Sequence, residues 1–130
     1  MGLILDTSFV VAAEREARRG QGGRTQPFLE RHLGDSFFIT FTVAGELACG
    51  QSATTRRDWE LLCRPYPILP WSIEISWHYG DAYRALSSKG LLIGGNDLWI
   101  AATALAHGHG VVTSNAAEFG RVPGLRVLSF

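Results

Sequence analysis

Lysine, methionine and cysteine are all scarce in this chain, and it has no long hydrophobic run. The two cysteines, Cys49 and Cys63, stand in apolar helical contexts without C-x-x-C or other ligand spacing. That pattern argues against a disulfide framework or a zinc site and predicts free, buried thiols suited to a reducing cytoplasm. No apolar stretch approaches the roughly 20 residues that a membrane helix needs. Asp6 also interrupts Gly2-Leu3-Ile4-Leu5 too early for a signal-peptide core. The expectation is a soluble, cytoplasmic protein that stays off membranes. Its 130 residues are 46% hydrophobic and 18% charged, which suits one folded domain over 1–130 and argues against disorder.

A surplus of positive charge is also missing. The formal net charge is zero, with 12 basic and 12 acidic residues. Nucleic-acid binding usually shows as a basic excess. That excess is concealed if Asp6, Glu46, Asp97 and Glu118 gather at one point, because 8 acidic residues then face 12 basic ones elsewhere. Lys89 is the single lysine and the rest are arginines, whose forked donors match phosphate and whose planes stack on bases. Arg15, Arg18, Arg19 and Arg24, on the first helix and the loop after it, are the candidates for binding RNA or a protein partner. They read equally well as ordinary solvated arginines.

Short apolar runs alternate with helical patterns. Gly2 to Leu5 reads as a strand, Asp6-Thr7-Ser8 as a polar turn, and Phe9 onward as a helix. Gly20 to Arg24 reads as a loop, followed by a short helix carrying Phe28, Leu29 and Leu33. Phe37-Phe38-Ile39 predicts a strand, Thr40 or Thr42 a cap, and Val43 to Cys49 a helix containing Glu46. Trp59 and Leu62 mark an amphipathic helix ended by Pro65 and Pro67, with Ile68-Leu69 as the next strand. Ile75, Tyr79, Ala82 and Leu86 recur at helical steps, and Gly90 supplies the stop. Asn96-Asp97 opens a helix that Gly108 and Gly110 close. Val111 to Thr113 and Val127-Leu128 complete the strands, the last one a candidate edge strand. The alternation implies a mainly parallel sheet with helices on both faces.

In such a sheet, ligands bind beyond the carboxyl ends of the strands, where the chain order reverses. Asp6 and Thr113 stand at two such ends, and Glu46 and Asp97 lie near the starts of helices. Asp6 and Asp97 could each serve only as helix-start residues, and Glu118 alone could be a solvated turn residue. Taken together, the carboxylates repel unless a hard divalent cation offsets them, which points to magnesium or manganese. Such a site would hydrolyse a phosphodiester through a metal-activated water. His107 and His109 could suggest a metal pair, but they sit at the helix end opposite Asp97, where their polarity suits the helix dipole.

The stretches Leu5-Asp6-Thr7-Ser8, Gly45-Glu46-Leu47, Gly94 to Ala102, Val112 to Phe119 and Val122-Pro123-Gly124-Leu125 resemble, in order, the PIN-domain toxins of the VapC family. That resemblance implies a three-layer α/β/α PIN-like fold. It also implies a magnesium- or manganese-dependent endoribonuclease acting on RNA, and a VapB-type antitoxin that inhibits by occupying the site. Homodimerisation is expected from the same source. The region from Trp71 to Tyr83 would supply either an interface or a thick core. By position, Asp6, Glu46 and Asp97 match the family's acidic triad. Asn115 stands where many PIN domains carry an aspartate, so the fourth ligand is either Asn115 or Glu118. Thr7 and Thr113 would orient the carboxylates or hold a water. The competing expectation is an inactive or weak PIN-like RNA-binding module, suggested by Asn115 and the zero net charge.

Overall fold

The computed structural model describes residues 1–51 and 53–130. Strand β1 covers Gly2–Leu5 and is followed by helices α1 (Thr7–Arg19) and α2 (Thr25–Arg31). Next come β2 (Ser36–Thr40), α3 (Phe41–Ala48), α4 (Arg56–Cys63), β3 (Ile68–Leu69), α5 (Ile73–Ser87) and α6 (Gly95–His107). The chain ends with β4 (Gly110–Val112), the single turn α7 (Ala116–Phe119) and β5 (Val127–Leu128). The five strands form one sheet in the order β3-β2-β1-β4-β5, and every pairing is parallel. With helices covering its faces, the architecture is the three-layer α/β/α arrangement expected.

The apolar runs explain the sheet. Leu3, Ile4 and Leu5 of β1 and Val111 and Val112 of β4 are fully buried, as central strands of a covered parallel sheet must be. Gly110 lets β4 lie close to its neighbours, since a Cβ there would stand 3.1 Å from side-chain atoms of both Leu3 and Leu128. Successive β-α units build outward from β1 to β2 and β3 on one side. The chain then returns through α5 and α6 to lay β4 on the other side of β1. The reversal therefore falls between β1 and β4, at Asp6 and Thr113.

Helix starts are set by side chains that accept a backbone N–H. Asp6, Thr40, Thr55 and Ser72 do so for α1, α3, α4 and α5. Thr40, rather than Thr42, is the cap of α3 and accepts from the Val43 amide at 3.1 Å. Helix α6 is buried through its middle, at Leu98, Ile100, Ala101, Ala102, Thr103 and Ala104, and packs on α5, α3 and β4. Phe9 anchors the other side of the core, edge-on to Phe28 at 5.6 Å and to Phe130 at 4.8 Å.

Two expectations are corrected, and a third, left open between surface and core, is divided. Cys63 is buried, but Cys49 is exposed, because it caps the C-terminal end of α3, past the buried Val43, Ala44 and Leu47. The polar turn after β4 continues into a one-turn helix, α7. The aromatic region from Trp71 to Tyr83 is neither all core nor all surface. Ile75 and Ala82 are buried and Tyr79 stacks on Trp99 at 4.1 Å, while Trp71, Ile73, Trp77 and Tyr83 face outward. Among the described residues, no helix is long and apolar enough to cross a membrane.

Candidate active site

Asp6 ends β1 and caps α1, so its backbone belongs to the sheet edge while its side chain turns into the gap beside β4. The residue is only 6% exposed, and its carboxylate accepts three hydrogen bonds. Oδ1 takes the Thr7 amide at 2.7 Å, and Oδ2 takes the Thr113 hydroxyl at 2.8 Å and the Ser8 hydroxyl at 3.2 Å. Asp6 is therefore a helix cap, and capping accounts for only one of the three bonds. The Ser8 and Thr113 hydroxyls also accept, from the amides of Ser114 at 3.1 Å and Asn115 at 2.9 Å. The loop after β4 is thereby fastened to the first turn of α1.

Glu46 lies in the second turn of α3, on the side facing α1 and α6. Its Oε1 accepts the Thr7 hydroxyl at 2.8 Å, and its Oε2 receives a long bond of 3.5 Å from the Asn96 amide nitrogen. Thr7 thus orients two carboxylates, Asp6 by its backbone and Glu46 by its side chain. Asp97, in the first turn of α6, is half-buried. Burial pushes its carboxyl up to about 6, and the nearby charges of Asp6, Glu46 and Glu118 push the same way. The four acidic residues singled out in the sequence therefore share one electrostatic neighbourhood. Glu118 reaches it from α7, one turn beyond Asn115.

No ion pair among the described residues involves Asp6, Glu46, Asp97 or Glu118; the ion pairs present lie elsewhere on the molecule. Among the described residues, no protein cation therefore stands within ion-pair distance of this negative charge. This donor set is all oxygen, as a hard divalent ion requires. Among the described residues, no three His, Cys, Asp or Glu side chains close on a single point tightly enough to form a complete cage. A magnesium-like ion, which keeps several of its waters and takes only one or two carboxylates directly, fits such an open arrangement. One turn before Glu46, the buried Thr42 hydroxyl has no partner among the described residues.

Ser8 and Asn96 belong to this network, although the sequence by itself assigns neither a role. The signal for Ser8 was its position two residues after Asp6, inside a helix start. The signal for Asn96 was its position next to Asp97. The arginines divide. Arg15 and Arg18 line a groove along α1, whereas Arg19 ends that helix and Arg24 lies over the Phe130 ring at 5.4 Å. His107 and His109 stack on each other, and His109 also stacks on Phe38, at the amino end of the sheet away from the carboxylates.

The family model described as PIN domain matches residues 3–125. Ribonuclease VapC1 of Rickettsia felis is 32% identical over 137 residues, covering 99% of this chain and 96% of that protein. Ribonuclease VapC of Rickettsia bellii is 31% identical, with the same coverage. Among solved structures, VapBC2 from Rickettsia felis bound to a DNA fragment from their promoter gives a TM-score of 0.83 at 25% identity, covering 100% of this chain and 99% of that one. VapBC-1 from nontypeable Haemophilus influenzae gives 0.76 at 27% identity, covering 99% and 98%. The chain belongs to the PIN-domain family, and within that family to the VapC type.

Proposed function

We propose that this chain is a divalent-metal-dependent endoribonuclease, the toxin of a type II toxin–antitoxin pair. The observation that carries this reading is the cluster of four carboxylates from four chain segments with no protein cation within ion-pair distance among the described residues. Relatives named as ribonucleases over nearly the full chain supply the substrate class. Asp6, Glu46 and Asp97 would hold Mg2+ or Mn2+, one or two of them directly and the rest through its waters, with Glu118, or the neutral Asn115, as the fourth contributor. When bound, such an ion lowers the pKa of water and offsets the charge that develops on a phosphodiester. The chain's own part is to fix positions. Thr113, Ser8 and the Thr7 amide hold Asp6, and the Thr7 hydroxyl holds Glu46.

The partner that fits is a VapB-type antitoxin, by analogy with relatives whose solved structures are VapBC complexes. A homodimer and a cytoplasmic location complete the proposal. The deciding experiment compares wild type with Asp97→Asn on a labelled RNA, with Mg2+ or Mn2+ and with EDTA. Cleavage should need the cation and fall by at least about a hundredfold in the variant, in keeping with loss of a residue that acts as part of a unit. Metal-independent cleavage, or an Asp97→Asn variant as active as wild type, would sink the mechanism. The second reading, an RNA-binding module without turnover, rests on the neutral Asn115. Salt-sensitive RNA binding with no cleavage in either cation is the result that would favour it.

A further inference from the structure

A groove of about 610 Å³ runs beside α1, lined by Val11, Glu14, Arg15, Arg18, Gly50 and Gln51. Both of its walls belong to segments that adjoin the carboxylate site, α1 and the turn after α3. On α1, Thr7, Val11, Arg15 and Arg18 follow one another at steps of four, four and three, so they share a face that begins at the residue bonded to Glu46. The opposite wall, Gly50 and Gln51, follows the end of α3, the helix that carries Glu46. At the helical rise of 1.5 Å per residue, Arg15 stands about 12 Å along α1 from Thr7. That distance is too long for Arg15 to touch a group at the carboxylates and suits a neighbouring part of a long substrate.

The two arginines differ in their present bonding. Arg15 has no ion-pair partner among the described residues. Arg18 is held by Glu14 through three bonds of 2.6 to 3.1 Å, although its side chain is 63% exposed. An exposed ion pair of this kind contributes little and is readily exchanged for another anion.

We propose that this groove is a track for the phosphate backbone of single-stranded RNA leading to or from the carboxylates, with Arg15 and Arg18 on the phosphates and Glu14 competing for Arg18. The proposal rests on the ribonuclease reading for its substrate. Forked guanidinium donors spaced along one helix face suit successive phosphates, and a helix face that begins at Thr7, beside Glu46, gives the strand a direction. Glu14 keeps Arg18 extended in place when no strand is bound and must release it when one is.

The test measures anisotropy of a short fluorescein-labelled single-stranded RNA in EDTA, where cleavage is suppressed, across a salt series. Arg15→Gln with Arg18→Gln should weaken binding about tenfold at moderate salt, as expected for two exposed charges. It should also flatten the log–log salt slope by about 1.4, or roughly 0.7 for each phosphate that an arginine no longer neutralises on a single strand. Glu14→Gln should tighten binding by releasing Arg18, beyond the effect of Glu74→Gln, which makes the same charge change in the first turn of α5. In the cleavage assay the double arginine variant should raise KM and leave kcat nearly unchanged. Unchanged RNA affinity and slope in the double variant would overturn the track, and so would loss of affinity confined to a VapB-type protein. Absence of cleavage by wild type would defeat the ribonuclease reading while leaving the binding measurement free to support or reject the track.

Discussion

Burial and three neighbouring carboxylates make the charged form of Asp97 costly in the folded chain. Its carboxyl titrates at about 6 instead of the ordinary 3.8. Between those values the folded protein holds a proton that the unfolded chain has lost, so this group stabilises the fold at low pH and that stability is lost as pH rises through 6. Without a cation, wild type should therefore be less stable at about pH 8 than this group would allow at about pH 4. Asp97→Asn should remove the difference, adding on the order of 1 kcal/mol at the higher pH after allowance for partial solvent exposure. Urea denaturation of both proteins in EDTA at the two pH values reads this directly. A variant less stable than wild type at pH 8 would contradict it. Added Mg2+ should stabilise wild type more than the variant, since ligand binding to the folded state alone raises stability by mass action.

Helix ends carry much of the positioning. Gly108 closes α6 with φ of 67°, and the His109 amide returns to the Ala104 carbonyl at 2.9 Å. Space is open where a Cβ would stand at Gly108, so the cost of a side chain there is conformational alone. Gly108→Ala should lower stability by about 1 kcal/mol and Gly108→Asn by less. Equal losses for the two in chemical denaturation would refute a purely backbone origin. This turn was readable in the sequence because glycine punctuates a long apolar stripe. The strands and the bodies of α5 and α6 were readable for a similar reason, since their apolar patterns are strong. α7 was not, because a single turn has no periodicity to detect. The exposure of Cys49 was hidden too, since an apolar neighbourhood in sequence does not say which end of a short helix faces solvent. The roles of Ser8 and Asn96 depend on hydrogen bonds to Asp6 and Glu46 and on a loop far away in the chain, which spacing alone does not reveal.

Across the whole molecule, the outward side of α5 and its cap presents Trp71, Ile73, Trp77 and Tyr83 to solvent. Trp71 donates to the Ser76 hydroxyl at 2.8 Å, and the Arg84 guanidinium lies 5.3 Å from the Trp77 ring, so the patch is ordered by its own contacts. If the proposed homodimer uses this face, Trp77→Glu should convert a dimer to a monomer in sedimentation velocity, with little change in thermal stability of the monomeric unit. A wild type that sediments as a monomer at all concentrations tested would dismiss the homodimer. A Trp77→Glu variant that remains dimeric would move the interface to another face.

The bond from Thr113 to Asp6 spans 107 residues of chain. Strand β1 is made well before one of its two neighbours, β4. The complete acidic site consequently cannot assemble until β4 has been made. Before residues 113–118 are made, Asp6 can accept only the Thr7 amide and the Ser8 hydroxyl, and the Thr113 bond and Glu118 are still missing. If the proposed nuclease activity belongs to this site, it waits on the pairing of β4 with β1.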